Sequence, residues 1–129
     1  CHYRYQLENW VLSRMDEKQS YKKRFYIRWM NLYLFYTQNP NVLVFFEQYI
    51  NSPYNKERSP HHFTGAYFEF LKEGIRENQL KPAKPEIYVA MYIGSVVMAA
   101  KITVFGSILL NKNDREIMVK KLWDGMSLV

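Results

Sequence analysis

One cysteine, five glycines and five prolines are all that 129 residues contain of the types that staple or punctuate a chain. Cys1 cannot form an internal disulfide, so nothing argues for an oxidising compartment, and the cytoplasm is the expected location. So few glycines and prolines exclude a turn-rich β-sandwich. No glycine-rich phosphate loop, nucleophile elbow or dinucleotide fingerprint occurs, which leaves no basis for an enzyme. Residues 1–10 (CHYRYQLENW) are polar and aromatic and carry no secretory-leader pattern.

Metal-site patterns are missing as well. His61 and His62 are adjacent, and consecutive helical residues point about 100° apart, so they do not chelate as an i, i+4 pair would. Glu69 and Glu73 do have that spacing. The Glu-x-x-His partners of dimetal bundles are absent, however, and both glutamates fall off the neighbouring apolar stripe, which places them on a solvated face. No cofactor or metal is expected.

What is present is apolar and aromatic: 48% of residues are hydrophobic, and eleven Tyr, eight Phe and three Trp bring aromatics to 17%. This excludes intrinsic disorder, and the length suits one domain, residues 1–129, with a single core. A formal charge of +6 invites an anionic partner. The series Arg14, Lys18 and Lys22 is broken by Asp16 and Glu17, however, and reads as a solvated helix face rather than a phosphate-binding patch.

Hydrophobic spacing predicts helices in every periodic segment. Tyr21, Phe25, Trp29, Leu32, Tyr33 and Tyr36 recur three and four apart over Ser20 to Gln38. Asn39-Pro40 stops that helix and starts a second, with Val42, Phe45, Phe46, Tyr49 and Ile50 on one face. The polar stretch Asn51 to Ser59 reads as a loop. Ser59-Pro60 then opens a third helix with Phe63, Tyr67, Phe70, Leu71 and Ile75 inward, ending near Asn78.

Glu86 to Leu110 is apolar on nearly all sides. A membrane span fits by length, but Lys101 inside the run costs about 2.5–3.5 kcal/mol at a bilayer centre. Ser95, Thr103, two tyrosines and two glycines also lower its hydrophobicity. A central helix packed on its own domain and on a second copy explains the pattern better. Ala90, Gly94, Ala99 and Ala100 would permit close approach, with Met91, Met98 and Phe105 supplying area. Asn113 or Asp114 is the expected cap of a last helix from about Arg115 to Ser127, carrying Ile117, Met118, Leu122 and Met126. The expectation is an all-α bundle of five to six helices whose last two form a dimeric four-helix interface. That interface would comprise Gly94, Val97, Met98, Lys101, Phe105, Ile117, Met118 and Leu122.

Three helices thus direct Trp29, Tyr33, Tyr36, Phe46, Tyr49, Phe63, Tyr67 and Phe70 inward. Buried hydroxyls need partners, which a ligand or water in a cavity would supply. A filled aromatic core without ligand is the alternative.

The order of signals is itself informative. A helix carrying Trp29 ends at Asn39-Pro40, and a short one ends at Asn51-Ser52-Pro53. Then come EGIRENQLKPAKPE (Glu73 to Glu86), an apolar GSVVMAAK helix and the closing KKLWDGM. Over residues 18 to 127 this resembles the C-terminal, ligand-sensing and dimerising domain of TetR-family transcriptional regulators, with Asn78 where the family often has glycine. The resemblance implies a homodimer and a largely apolar or aromatic small-molecule effector, bound near Trp29, Tyr33, Tyr36, Phe46, Tyr49, Phe63, Tyr67 and Tyr92. It further implies operator contact only through an N-terminal helix-turn-helix, which is not expected within this sequence, and no membrane role.

Overall fold

The computed structural model describes residues 20–50, 61–106 and 108–128, and the side chains of these except 46–50 and 61–64. Five α-helices follow in order: α1 (Tyr21–Gln38), α2 (Pro40–Ile50), α3 (His61–Arg76), α4 (Pro85–Val104) and α5 (Lys112–Met126). No strand occurs among the described residues, only an isolated antiparallel bridge between Leu80 and Ser127. The fold is all-α, as the periodicities predict.

Each helix boundary has a local cause. Ser20 caps α1 by accepting from the Lys23 N–H at 3.2 Å, satisfying one of the donors that a helix start leaves open. Asn39 ends α1, its side chain donating to the Phe35 carbonyl. Pro40, which has no N–H to lose, begins α2. At the end of α3, Asn78 takes a left-handed backbone, φ 60°. Its side chain tolerates this region better than most, which explains why Asn can stand in place of glycine.

Two boundaries differ from expectation. The fourth helix ends at Val104, not near Leu110: Phe105 caps it and Ile108 N–H folds back onto the Ile102 carbonyl at 3.0 Å. A Cβ on Gly106 would lie 2.8 Å from that same carbonyl, so glycine permits the close turn. The last helix starts at Lys112, and Asn111 caps it, rather than Asn113 or Asp114. Asn111 accepts from the Asp114 N–H at 2.8 Å while Asp114 accepts from the Asn111 N–H at 3.2 Å, a reciprocal capping box.

The core lies where α1 crosses α4, with α3 and α5 closing its sides. Phe25, Trp29, Leu32 and Tyr36 of α1 and Tyr92, Val96, Ala99 and Ala100 of α4 belong to one buried cluster and are all essentially inaccessible. Ala99 and Ala100 are therefore covered within the same chain rather than open to a second copy, a correction to their expected role. Phe25 takes two edge-to-face neighbours, Tyr92 at 4.8 Å and Trp123 at 5.0 Å, the geometry that ring quadrupoles favour. Beyond α5 the chain turns back, Lys81 N–H bonding the Met126 carbonyl and Leu128 N–H the Gln79 carbonyl.

The expected loop Asn51 to Ser59, the Ser59-Pro60 cap, and Arg14 and Lys18 of the basic series lie outside the described residues. Lys22 is exposed.

Candidate functional site

The face of α1 turned toward α3 carries an arrangement that the aromatic stripe hides. Arg24, Arg28 and Asn31 recur at i, i+4 and i+7 and so share one line along the helix. Arg24 is neutralised: its Nη2 donates to Glu73 Oε2 at 2.8 Å. Glu73 is therefore only partly exposed and ion-paired, which corrects its expected place on a solvated face. Glu69 does stand exposed, 3.4 Å from Lys72.

Among the described residues Arg28 has no such counterion. It is 8% exposed, yet its Nε and Nη1 meet no acceptor, and neither does Nδ2 of Asn31. Its guanidinium lies over the Phe70 ring, 4.5 Å from the centroid, and 5.8 Å from that of Tyr67. Burial pulls its pKa below the usual arginine range, opposed by Tyr67 and Tyr92 and reinforced by Arg24. Arginine does not deprotonate in proteins, so a charged group sits here in apolar and aromatic surroundings.

The aromatic residues expected to line a pocket are placed as follows. Trp29, Tyr33, Tyr36, Tyr67 and Tyr92 are all buried. Several of their polar atoms bond within the chain. Trp29 Nε1 donates to Ser95 Oγ at 2.9 Å. The Tyr33 hydroxyl pairs with Thr103 Oγ1 at 2.9 Å, and the Tyr92 hydroxyl donates to the Phe25 carbonyl at 2.6 Å. These hydroxyls therefore need no ligand to satisfy them in this conformation. The side chains of Phe46, Tyr49 and Phe63, and of His61 and His62, lie outside the described residues. An open groove of about 510 Å³ runs between α1 and α5, lined by Tyr26, Ile27, Met30, Asn31, Glu116 and Lys120. Apart from Asn31 it draws on neither the arginine line nor the buried aromatics.

A second feature occupies the far side of α4 and α5. Ile87, Met91, Met98, Phe105 and Ile117 stand 42–55% exposed. Val97, Met118 and Leu122 are half-buried against the core. Gly94 lies among them on α4, and a Cβ there would meet nothing within 4 Å. Lys101 is half-buried. Met126, the last apolar residue of α5, is buried in the bundle.

Pro85–Val104 is long and apolar enough to cross a membrane by length and composition. Its Tyr92, Ser95 and Thr103, however, make the polar bonds to α1 just described, so one side of the helix is committed to the bundle.

The described residues form five helices with a core between α1 and α4 and an apolar surface on α4 and α5. The chain belongs to the tetracyclin repressor-like, C-terminal domain family, whose model matches residues 20–127. It is similar in fold to a TetR family transcription regulator from Marinobacter aquaeolei VT8, with a TM-score of 0.82 at 12% identity, over 99% of this chain and 69% of that one. It is also similar to a TetR-family transcriptional regulator from Haemophilus influenzae Rd, with a TM-score of 0.74 at 16% identity, over 95% of this chain and 66% of that one. Comparison with curated proteins finds no match.

Sequence reasoning missed Arg28 and Asn31. The signal was present for Arg28, which stands seven residues after Tyr21, four before Leu32 and seven before Phe35, all buried. Reading the stripe for apolar residues alone passed over the cation inside it.

Proposed function

We propose that this chain is the effector-sensing and dimerising domain of a cytoplasmic TetR-family transcription regulator, without catalytic activity. The observation that carries the reading is the group of large apolar side chains left exposed on α4 and α5, in a family of transcription regulators. Contiguous apolar surface of this kind marks an interaction site, and a two-fold pairing of α4 and α5 with their copies would bury it as a four-helix interface. Gly94, Val97, Met98, Lys101, Phe105, Ile117, Met118 and Leu122 are the proposed contacts.

The effector is proposed to be a small, largely apolar or aromatic molecule held among the helices α1 to α4. It acts by binding two arrangements of the bundle unequally, and that difference shifts the spacing of the two DNA-reading units in the intact dimer. Operator DNA is then a partner only through those units.

A second reading has a specific observation in its favour. The internal hydrogen bonds of Trp29, Tyr33 and Tyr92 suit a filled core, so the domain would be a dimerisation module without ligand. Native mass spectrometry of the purified chain, gentle and then denaturing, separates the readings. A dimer carrying a non-covalent small molecule is expected. A dimer that never carries one, and whose melting responds to no member of a broad library of apolar compounds, would leave the filled module standing. A monomer at micromolar concentration would remove the proposed interface.

A further inference from the structure

We propose that Arg28 anchors the effector by its anionic head, and that this head is a carboxylate bound between α1 and α3. The inference rests on the effector-sensing reading and adds to it the chemical class of ligand.

The argument is one of charge and unmet donors. Among the described residues, Nε and Nη1 of Arg28 meet no acceptor although the residue is only 8% exposed. Leaving buried donors unsatisfied is costly, and leaving a buried charge uncompensated is costlier. Phe70 and Tyr67 offer their ring faces, which stabilise the cation but accept none of its N–H groups in a normal hydrogen bond. Along the same line Asn31 Nδ2 also meets no acceptor. Glu73, the acid on the facing side of α3, is occupied by Arg24 at 2.8 Å.

Two cations and one carboxylate therefore leave a single positive charge on the line. A monoanion balances that charge, whereas a phosphate dianion would overshoot it. A planar carboxylate also matches the guanidinium fork. The rings of Phe70 and Tyr67 beside it suit an apolar or aromatic body joined to that head. Burial, which pulls the Arg28 pKa down, is the cost that such an anion would offset.

The test uses the full chain and three acids, phenylbutyrate, naphthoate and decanoate, each against its neutral primary amide, by calorimetric titration. The expected result is that at least one acid binds roughly ten-fold or more tightly than its amide, the ratio that a charge-assisted hydrogen bond supplies. In Arg28→Met that preference disappears while the ligand-free melting temperature stays level or rises, because an apolar isostere relieves the uncompensated charge. Equal binding of acid and amide in every pair, amides binding where acids do not, or a preference retained in Arg28→Met would overturn the anchor and leave the sensor reading intact. A large fall in the ligand-free melting temperature of Arg28→Met would show that the guanidinium is paired within the fold, with the same consequence. Failure of all acids and all amides to bind would count against the anchor and the sensor reading together.

Discussion

Replacing Gly74 by alanine sets two effects of opposite sign against each other. Gly74 lies in the last turn of α3, where alanine is favoured over glycine by at most about 1 kcal/mol on helix propensity. The structure argues the other way. An added Cβ would overlap the Tyr21 hydroxyl and lie 2.5 Å from its Cζ and 2.9 Å from Leu80 Cδ1. Tyr21 has little room to yield, since its ring is stacked on Phe70 at 4.4 Å and its hydroxyl donates to the Phe70 carbonyl at 2.9 Å. Overpacking of this kind costs about 2 kcal/mol, and displacing the buried hydrogen bond about 1 kcal/mol more. Subtracting the propensity gain leaves a net loss of about 2 kcal/mol, or about 8 °C in Tm for a chain of this size. Thermal unfolding followed by far-UV circular dichroism at fixed protein concentration measures it. Gly125→Ala, where an added Cβ meets nothing within 4 Å, is the control and should hold or raise Tm. A Gly74→Ala protein melting at or above the wild type would refute the proposed close approach of Tyr21.

Other substitutions probe the remaining parts. Gly94→Trp should convert dimer to monomer in native mass spectrometry while leaving the helical signal intact, because the site is open in the single chain; an unchanged dimer mass would show that the contact lies elsewhere. Leu122→Arg should have the same effect, with some loss of stability as well, since Leu122 also packs on the core. Asn111→Ala should cost about 1 kcal/mol by removing the capping box, whereas Asn113→Ala should cost little; the reverse order in thermal unfolding would contradict the observed cap. Burial raises the pKa of Tyr21, Tyr36 and Tyr92 above the usual tyrosine value. The unfolded chain therefore loses protons first, and stability is complete below about pH 10 and falls as pH rises beyond it. In an alkaline titration these phenolates should appear together with unfolding, and their appearance at pH 10 in a still folded protein would count against the packing described.

The helices were legible because their causes are local. Tyr21, Phe25, Trp29, Leu32 and Tyr36 declare one buried face by spacing alone, and Asn39-Pro40 marks a boundary through dihedral restriction and a missing donor. The two errors of boundary arose where several residues offered the same chemistry. Asn111, Asn113 and Asp114 all favour a helix start, and only the reciprocal bond between Asn111 and Asp114 selects the first. Ile108, Leu109 and Leu110 are as apolar as the helix before them, so hydrophobicity alone could not announce that the chain folds back at Gly106. Family resemblance was readable in the same way, from the order of helices and their breaks, which is a property of the fold and not of any one site.

The site is harder to read because burial of a polar residue depends on which neighbours the fold supplies. Ser95 and Thr103 are weak signals in sequence, yet they take the polar atoms of Trp29 and Tyr33 that otherwise seem to ask for a ligand. That exchange removes the need for a ligand at Trp29 and Tyr33 and moves the argument to Arg28, whose donors stay unmet among the described residues. Arg24 and Arg28 are alike in type and one turn apart. What distinguishes them is Glu73, forty-nine residues after Arg24 in the chain, which reaches the first and not the second. A carboxylate opposite Arg28 would have made it a second ion pair of the framework. Its absence among the groups acting on Arg28 leaves the line of α1 facing α3 with an unbalanced charge, and that imbalance is what the proposed anion would relieve.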